Sequence, residues 1–191
     1  MFNIIRDIIF LDVIIMKIYM IRHGVPDYSY VDEHNFIGHG NDLATLDVNH
    51  IKDIIKTSKD KRLKNAEVII SSPYTRALQT AAIISKELDL DIIVEPDLRE
   101  WEPDLTFQYK GINAQDFFKD YYSCGGIKPK NRKVNWESKE ELKNRIEKMI
   151  NKYKDNYKCV IFVFHQTAIQ SIIGDVKIAP AEIIEYEIKI D

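Results

Sequence analysis

The sequence predicts a three-layer α/β fold, a mostly parallel central sheet with helices on both faces. Two observations lead there: short runs rich in Ile and Val alternate with segments of helical period, and polar, turn-forming residues follow those runs at their carboxyl ends. A third concerns size and composition. The chain has 191 residues, 45% apolar and 30% charged, which suits one globular domain able to bury a large core.

Residues 1–15 carry Ile8 to Leu11 and Val13 to Ile15, but Asp7 and Asp12 interrupt them. The apolar stretch falls short of the roughly 20 residues a membrane span needs, and no small-residue cleavage site follows. Met16 is therefore expected to open a single domain over residues 16–191, with residues 1–15 an extension. Lys17 to Ile21 is a buried strand, ending at Arg22-His23-Gly24, where glycine frees the backbone for a turn. Val25 to Leu46, with Pro26, Gly38, Gly40 and Asn41, has no period and reads as a loop over the strand ends.

Asp47 caps an expected helix with Ile51, Ile54 and Ile55 on its apolar face. Ala66 to Ser71 is a second buried strand. Ser72 and Pro73 then read as cap and first position of a helix whose stripe is Ala77, Ala81, Ile84 and Leu88. Asp91 to Pro96 is a third strand, followed by a loop holding Arg99, Glu100 and Trp101, and a helix is expected from near Asn113 with Phe117, Phe118 and Tyr121 on one side. Ser138 to Glu141 is a capping box opening a helix through Tyr153. Lys158 to Phe164 is the strongest buried strand and delivers His165. Gln166 to Ile173 forms a short helix stopped by Gly174, and Glu182 to Ile190 alternates as an edge strand.

Several function classes are disfavoured. A net charge of −3 and a pI near 6.0 provide no basic face for nucleic acid or an acidic membrane. Cys124 and Cys159 have no metal-ligand spacing and read as free thiols in a reducing cytoplasm.

Four strand ends carry the polar signals: Arg22-His23-Gly24, Ser71-Ser72-Pro73 with Arg76 one turn on, Leu98-Arg99-Glu100, and His165. In a parallel sheet these ends share one edge, where α/β sites lie. Two arginines, two histidines and a carboxylate suit phosphoryl transfer. Arginine forks hold phosphate oxygens, a neutral imidazole attacks phosphorus, and a carboxylic acid protonates the departing oxygen, with no metal needed.

These blocks resemble the histidine phosphatase superfamily of phosphoglycerate mutase-like fold. Arg22-His23-Gly24 looks like its opening signature, Ser71 to Ala81 like its second block, Leu98-Arg99-Glu100 like its acid-bearing block, and Trp136-Glu137-Ser138 and Phe164-His165 complete the order. The resemblance implies His23 as the nucleophile that becomes phosphohistidine, Arg22, Arg76 and His165 around the phosphate, and Glu100 as general acid and base, with no cofactor.

The sequence departs from the family's pattern in places. Pro26 stands where relatives carry Thr or Ser, and Gln166 where they carry glycine, so a left-handed backbone there would be strained. His50 replaces a helix glycine, and the loop from Trp101 to Lys110 is of another type. Glu102 and Asp104 compete with Glu100 as the acid, while Arg99 reads as a solvated or pairing residue. Tyr28, Tyr30, Trp101 and Phe107 are wall candidates or simple packing. His34 and His39 lack the carboxylate or cysteine set of a metal site, and Ser72 reads as a cap rather than a nucleophile. The expectation is a cytoplasmic phosphomonoester hydrolase acting on a small phosphorylated substrate. A mutase sharing the intermediate, or a catalytically silent phospho-ligand binding module, is the alternative.

Overall fold

The computed structural model describes residues 14–109 and 114–190, so residues 1–13 of the expected extension and the expected helix start at Asn113 lie outside the described residues. Elements follow in the order β1 (Ile14–Arg22), β2 (Pro26–Asp27), α1 (Ser29–Glu33), β3 (Thr45–Leu46), α2 (Ile51–Ser58), β4 (Val68–Ser71), α3 (Thr75–Leu88) and β5 (Ile92–Val94). Then come α4 (Ala114–Ser123), α5 (Lys139–Tyr153), β6 (Cys159–Phe164), α6 (Gln166–Ile173) and β7 (Ile183–Ile190).

The main sheet has the order β5-β4-β6-β1-β7. β1 and β4 flank β6 in parallel, β5 adds in parallel, and β7 runs antiparallel to β1 at the edge. β1 is longer than the sequence suggests: Ile14 and Ile15 pair with Ile190 and Lys189 and so continue the strand upstream of Met16.

Strand periodicity splits the core in two. Met16, Ile18 and Met20 of β1 pack on one face of the sheet against Leu142, Ile146 and Met149 of α5 and Ile169 of α6. Tyr19 and Ile21 pack on the other against Ile54 of α2 and Ala77, Ala81 and Ile84 of α3. Both faces of the central strands are therefore covered, which is why β6 is a continuous apolar run rather than an alternating one. Each fully buried Ile or Met contributes about 1.5–3 kcal/mol, so these central strands anchor the fold.

Local signals hold in α5, where Ser138 Oγ accepts from the Glu141 amide (3.2 Å) and Glu141 Oε2 accepts from the Ser138 amide (2.7 Å). α6 ends at Gly174, whose φ of +94° favours glycine. Elsewhere tertiary contacts override them. The long first loop is not structureless, since it holds β2, α1, a 3-10 turn over Gly38–Leu43, and β3. Asp47 caps a 3-10 turn ahead of α2, its side chain accepting from the Asn49 amide at 2.9 Å. α3 starts at Thr75 with Tyr74 as its N-cap, so Ser72 is not the cap of this helix. Among the described residues no helix is long and apolar enough to cross a membrane.

Candidate active site

The carboxyl ends of β1, β4 and β6, together with the turn after β5, meet at one edge of the sheet. The His23 amide donates to the Phe164 carbonyl (2.9 Å) and carries the β1–β6 ladder one residue further, so the sheet itself holds the His23 backbone. Gly24 has no positive φ. Its role is to make room: a Cβ there would stand 2.6 Å from Ile54 Cδ1 and 3.1 Å from Leu46 Cδ2, so the glycine admits α2 against the strand end rather than releasing a turn. The Gly24 amide donates to Thr80 Oγ1 (3.0 Å), which ties β1 to α3.

His23 is buried, 5% exposed. Nδ1 lies 2.7 Å from the Gly24 carbonyl, an acceptor only, so Nδ1 carries the proton and Nε2 keeps its lone pair. Arg76 Nε donates to that Nε2 at 3.3 Å. Burial, and then the Arg76 cation, push the His23 pKa down to about 3. The imidazole is thus neutral throughout the physiological range.

Arg22 is anchored from one side. Its Nη1 donates to Gln166 Oε1 (2.5 Å) and to the Ile178 carbonyl (2.6 Å), which uses both protons of that nitrogen. The Nε–Nη2 edge, the side-on fork that grips an oxyanion, remains, and Nε is buried without a partner. Gln166 sits in the first turn of α6 and is not among the residues with positive φ, so the strain expected from replacing glycine does not arise.

Arg76 comes from the first turn of α3 and is also buried. Its guanidinium lies 5.0 Å from the Tyr74 ring centroid, and Nη1 has no hydrogen-bond partner. Asp42 Oδ1 stands 3.6 Å from that nitrogen. Arg22, His23, Arg76 and Glu100 share the wall of a cavity of about 770 Å³ with Tyr28, Phe36, Asp42, Tyr74 and Tyr109.

Glu100 is half-buried, and its oxygens meet backbone amides. Oε1 accepts from Trp101 (2.9 Å) and Ala168 (3.0 Å), and Oε2 from Thr167 (3.2 Å). Desolvation nevertheless raises its pKa, the amide bonds offsetting only part of the effect. The loop that carries it is riveted by Arg145, which pairs with buried Glu137 (2.7 Å) and donates to the carbonyls of Asp97, Arg99 and Glu100. Glu102 points elsewhere, accepting from Tyr74 Oη (3.1 Å) and Arg99 Nε (3.0 Å), and Asp104 receives the Thr106 amide and hydroxyl. Neither borders the cavity, whereas Glu100 does.

His165 is fully buried, its ring centroid 5.0 Å from that of His23. It stands behind His23 rather than on the cavity wall. Nε2 lies 2.8 Å from Ser72 Oγ, so the base absent near Ser72 in sequence is supplied from 93 residues away. Ser72 Oγ accepts from the Tyr74 amide (3.3 Å), leaving its own proton for His165 Nε2. His165 Nδ1 then carries a proton and is buried with no partner. Burial and the neighbouring Arg76 hold the His165 pKa well below its ordinary value.

All five sequence-predicted site residues thus converge, four on the cavity and His165 behind them. Of the wall candidates, Tyr28 and Trp101 border the cavity; Tyr30 and Phe107 do not. Tyr30 stacks on His34 (4.1 Å), and Phe107 on His39 (4.5 Å). Asp42, Phe36 and Tyr109 escaped notice because an acid or aromatic in an aperiodic loop has no local mark of pocket position. Tyr74 and Thr80 lay within the family-like block Ser71 to Ala81, the one signal that pointed near them, while Gln166 was marked only as a departure from the family's glycine. Among the described residues no group of three or more metal-ligating side chains clusters.

The chain is similar to known proteins in sequence and in fold. An uncharacterized phosphatase of Bacillus subtilis (strain 168), PhoE, is 25% identical over 159 residues, covering 82% of this chain and 75% of that one. The native structure of a mycobacterial glucosyl-3-phosphoglycerate phosphatase superposes with a TM-score of 0.67 at 16% identity, over 89% of each chain. A phosphoglycerate mutase from Bacillus anthracis str. Sterne gives 0.66 at 18% identity, over 93% of this chain and 89% of that one. At such identities the solved structures establish the fold alone. The model of the histidine phosphatase superfamily (branch 1) matches residues 18–188, nearly the whole described chain, and the protein belongs to that superfamily.

Proposed function

We propose that the protein is a phosphomonoester hydrolase that works through a phosphohistidine on His23. The observation that carries this is the state of one atom: His23 Nε2 carries no proton and meets Arg76 Nε at 3.3 Å, while His23, Arg22 and Arg76 line one cavity and each guanidinium keeps an unpartnered donor. The phosphate enters between the Arg22 fork and Arg76 Nη1, taking over the donors that Arg76 now turns toward the imidazole. Nε2 attacks phosphorus in line as the ester P–O bond breaks, and the departing oxygen takes the proton of Glu100. His165 backs the His23 ring, its centroid 5.0 Å away, and holds it in place for the attack. Glu100, now a carboxylate, removes a proton from water as that water attacks the phosphohistidine, returning free phosphate and a neutral His23. The two guanidiniums neutralise charge where it develops, so the chemistry needs neither metal nor organic cofactor.

The family kinship supports phosphatase chemistry at a coarse level. The alternative of a silent module rested chiefly on Gln166, and the helical backbone of that residue counts against it. We also assign the enzyme to the cytoplasm, where the free thiols Cys124 and Cys159 stay reduced. The test is phosphate release from a panel of simple phosphomonoesters, with quenching in mid-turnover. Release with an acid-labile, alkali-stable phosphoryl label on the protein is the expected result. Phosphate exchange between positions of a substrate without release would overturn hydrolysis in favour of a mutase.

Gln166 acts through Arg22 rather than on the substrate. In Q166A one proton of Arg22 Nη1 loses its acceptor and the fork loses half its anchor. Inorganic phosphate should bind about tenfold more weakly, the effect of losing one charge-assisted hydrogen bond at the lower end of its range. Titration calorimetry measures this, and Q166E, which keeps the acceptor, should retain the Arg22 contact.

A further inference from the structure

The donors proposed above for the phosphate are Arg22 and Arg76, but the cavity extends well past them, and the charge that the other described residues bring to it is negative. Among the described residues bordering it, the only fixed cations are those two arginines, while Asp42 and Asp32 join Glu100 as acids. Asp42 is the decisive one. Its side chain is 13% exposed, its Oδ2 is taken by His39 Nδ1 (3.0 Å), and its Oδ1 is turned to Arg76, 3.6 Å from Nη1 and beyond hydrogen-bond length. Burial raises its pKa, and His39 and Arg76 oppose that rise by favouring the carboxylate. A phosphate held by Arg76 therefore lies beside Asp42, on the cavity wall that Asp42 shares with the rings of Tyr28, Phe36 and Tyr109.

We propose that Asp42 selects the leaving group: the site takes phosphomonoesters whose leaving group is uncharged and presents a hydroxyl to Asp42 Oδ1, and it rejects those carrying a second anionic group. This rests on the phosphatase reading above. The attraction is a hydrogen bond from the substrate hydroxyl to an oxygen not otherwise saturated. The rejection is like-charge repulsion in a partly desolvated cleft, where it is weakly screened. The aromatic rings offer apolar faces to the carbon skeleton and no countercharge.

Two probes of equal length isolate the effect. Glycerol 3-phosphate and 3-phosphoglycerate share a three-carbon frame and differ by a hydroxymethyl group against a carboxylate. The wild type should favour glycerol 3-phosphate by at least about tenfold in kcat/KM, and D42N, of the same shape without the charge, should shrink that ratio about tenfold. A wild-type ratio near one, or a ratio unchanged in D42N, would overturn the selection. The wild-type ratio decides the matter even where D42N folds poorly. p-Nitrophenyl phosphate separates the two layers of inference: if the protein does not hydrolyse it or either probe, the phosphatase reading fails. The ratio of the two probes' dissociation constants, by calorimetry, then still decides for or against Asp42.

Discussion

Replacing His23 with alanine should abolish turnover, lowering kcat by about 10⁴- to 10⁶-fold, the scale on which removing a covalent nucleophile acts. The reason lies in the single unprotonated nitrogen. Nδ1 is committed to the Gly24 carbonyl, burial and Arg76 keep Nε2 free of a proton, and among the described residues of the cavity wall there is no second imidazole. The second imidazole, His165, is behind His23 with Nε2 engaged by Ser72, and it cannot substitute. Mid-turnover quenching of H23A should give no phosphoryl label, while inorganic phosphate still binds through Arg22 and Arg76. Turnover near wild type in H23A would refute the nucleophile assignment.

The second large effect is at Glu100. E100Q should lower kcat on alkyl phosphates by about 10²- to 10⁴-fold, the range for a general acid. Oε2 carries one amide contact against two on Oε1, so it is the oxygen with room for the proton to be donated. p-Nitrophenol leaves without protonation, so E100Q should still release a stoichiometric burst from p-nitrophenyl phosphate and then slow, because the same carboxylate must activate water in the second step. The pH profile carries a sign. Burial raises the Glu100 pKa, so the acid form persists above the usual carboxylate range, and kcat/KM on alkyl phosphates falls as pH rises through the shifted value. His23, with a pKa of about 3, adds no limb above mild acid. Loss of the alkaline limb in E100Q would identify its owner; an unchanged profile would move the acid role to another group.

Much of the fold was legible because its signals are local. β6 is six apolar residues in a row, and only a strand buried on both faces needs that. The capping box at Ser138 and the glycine stop at Gly174 are short-range hydrogen-bond and φ requirements, written within a few residues of where they act. The first loop failed as a prediction because β2, α1 and β3 are two to five residues long and stand on contacts with the rest of the domain, not on their own periodicity. Ser72 failed for a related reason: Ser-Pro is a good local helix start, but the serine hydroxyl found His165 across the sheet and the helix began three residues later.

What the sequence alone determined was the α/β class, the places of the principal strands along the chain, and the presence of Arg22, His23, Arg76, Glu100 and His165 at or just beyond strand ends. Those follow from period, turn residues and the rule that parallel strands present their carboxyl ends together. Only the tertiary structure decided which nitrogen of His23 is free, that Gln166 anchors Arg22 across 144 positions, and that Asp42 leans on Arg76 from a loop without a pattern. Protonation, anchoring and pocket charge depend on distance and burial among residues far apart in the chain. Spacing along a sequence does not encode these until the sheet has brought its ends to one edge.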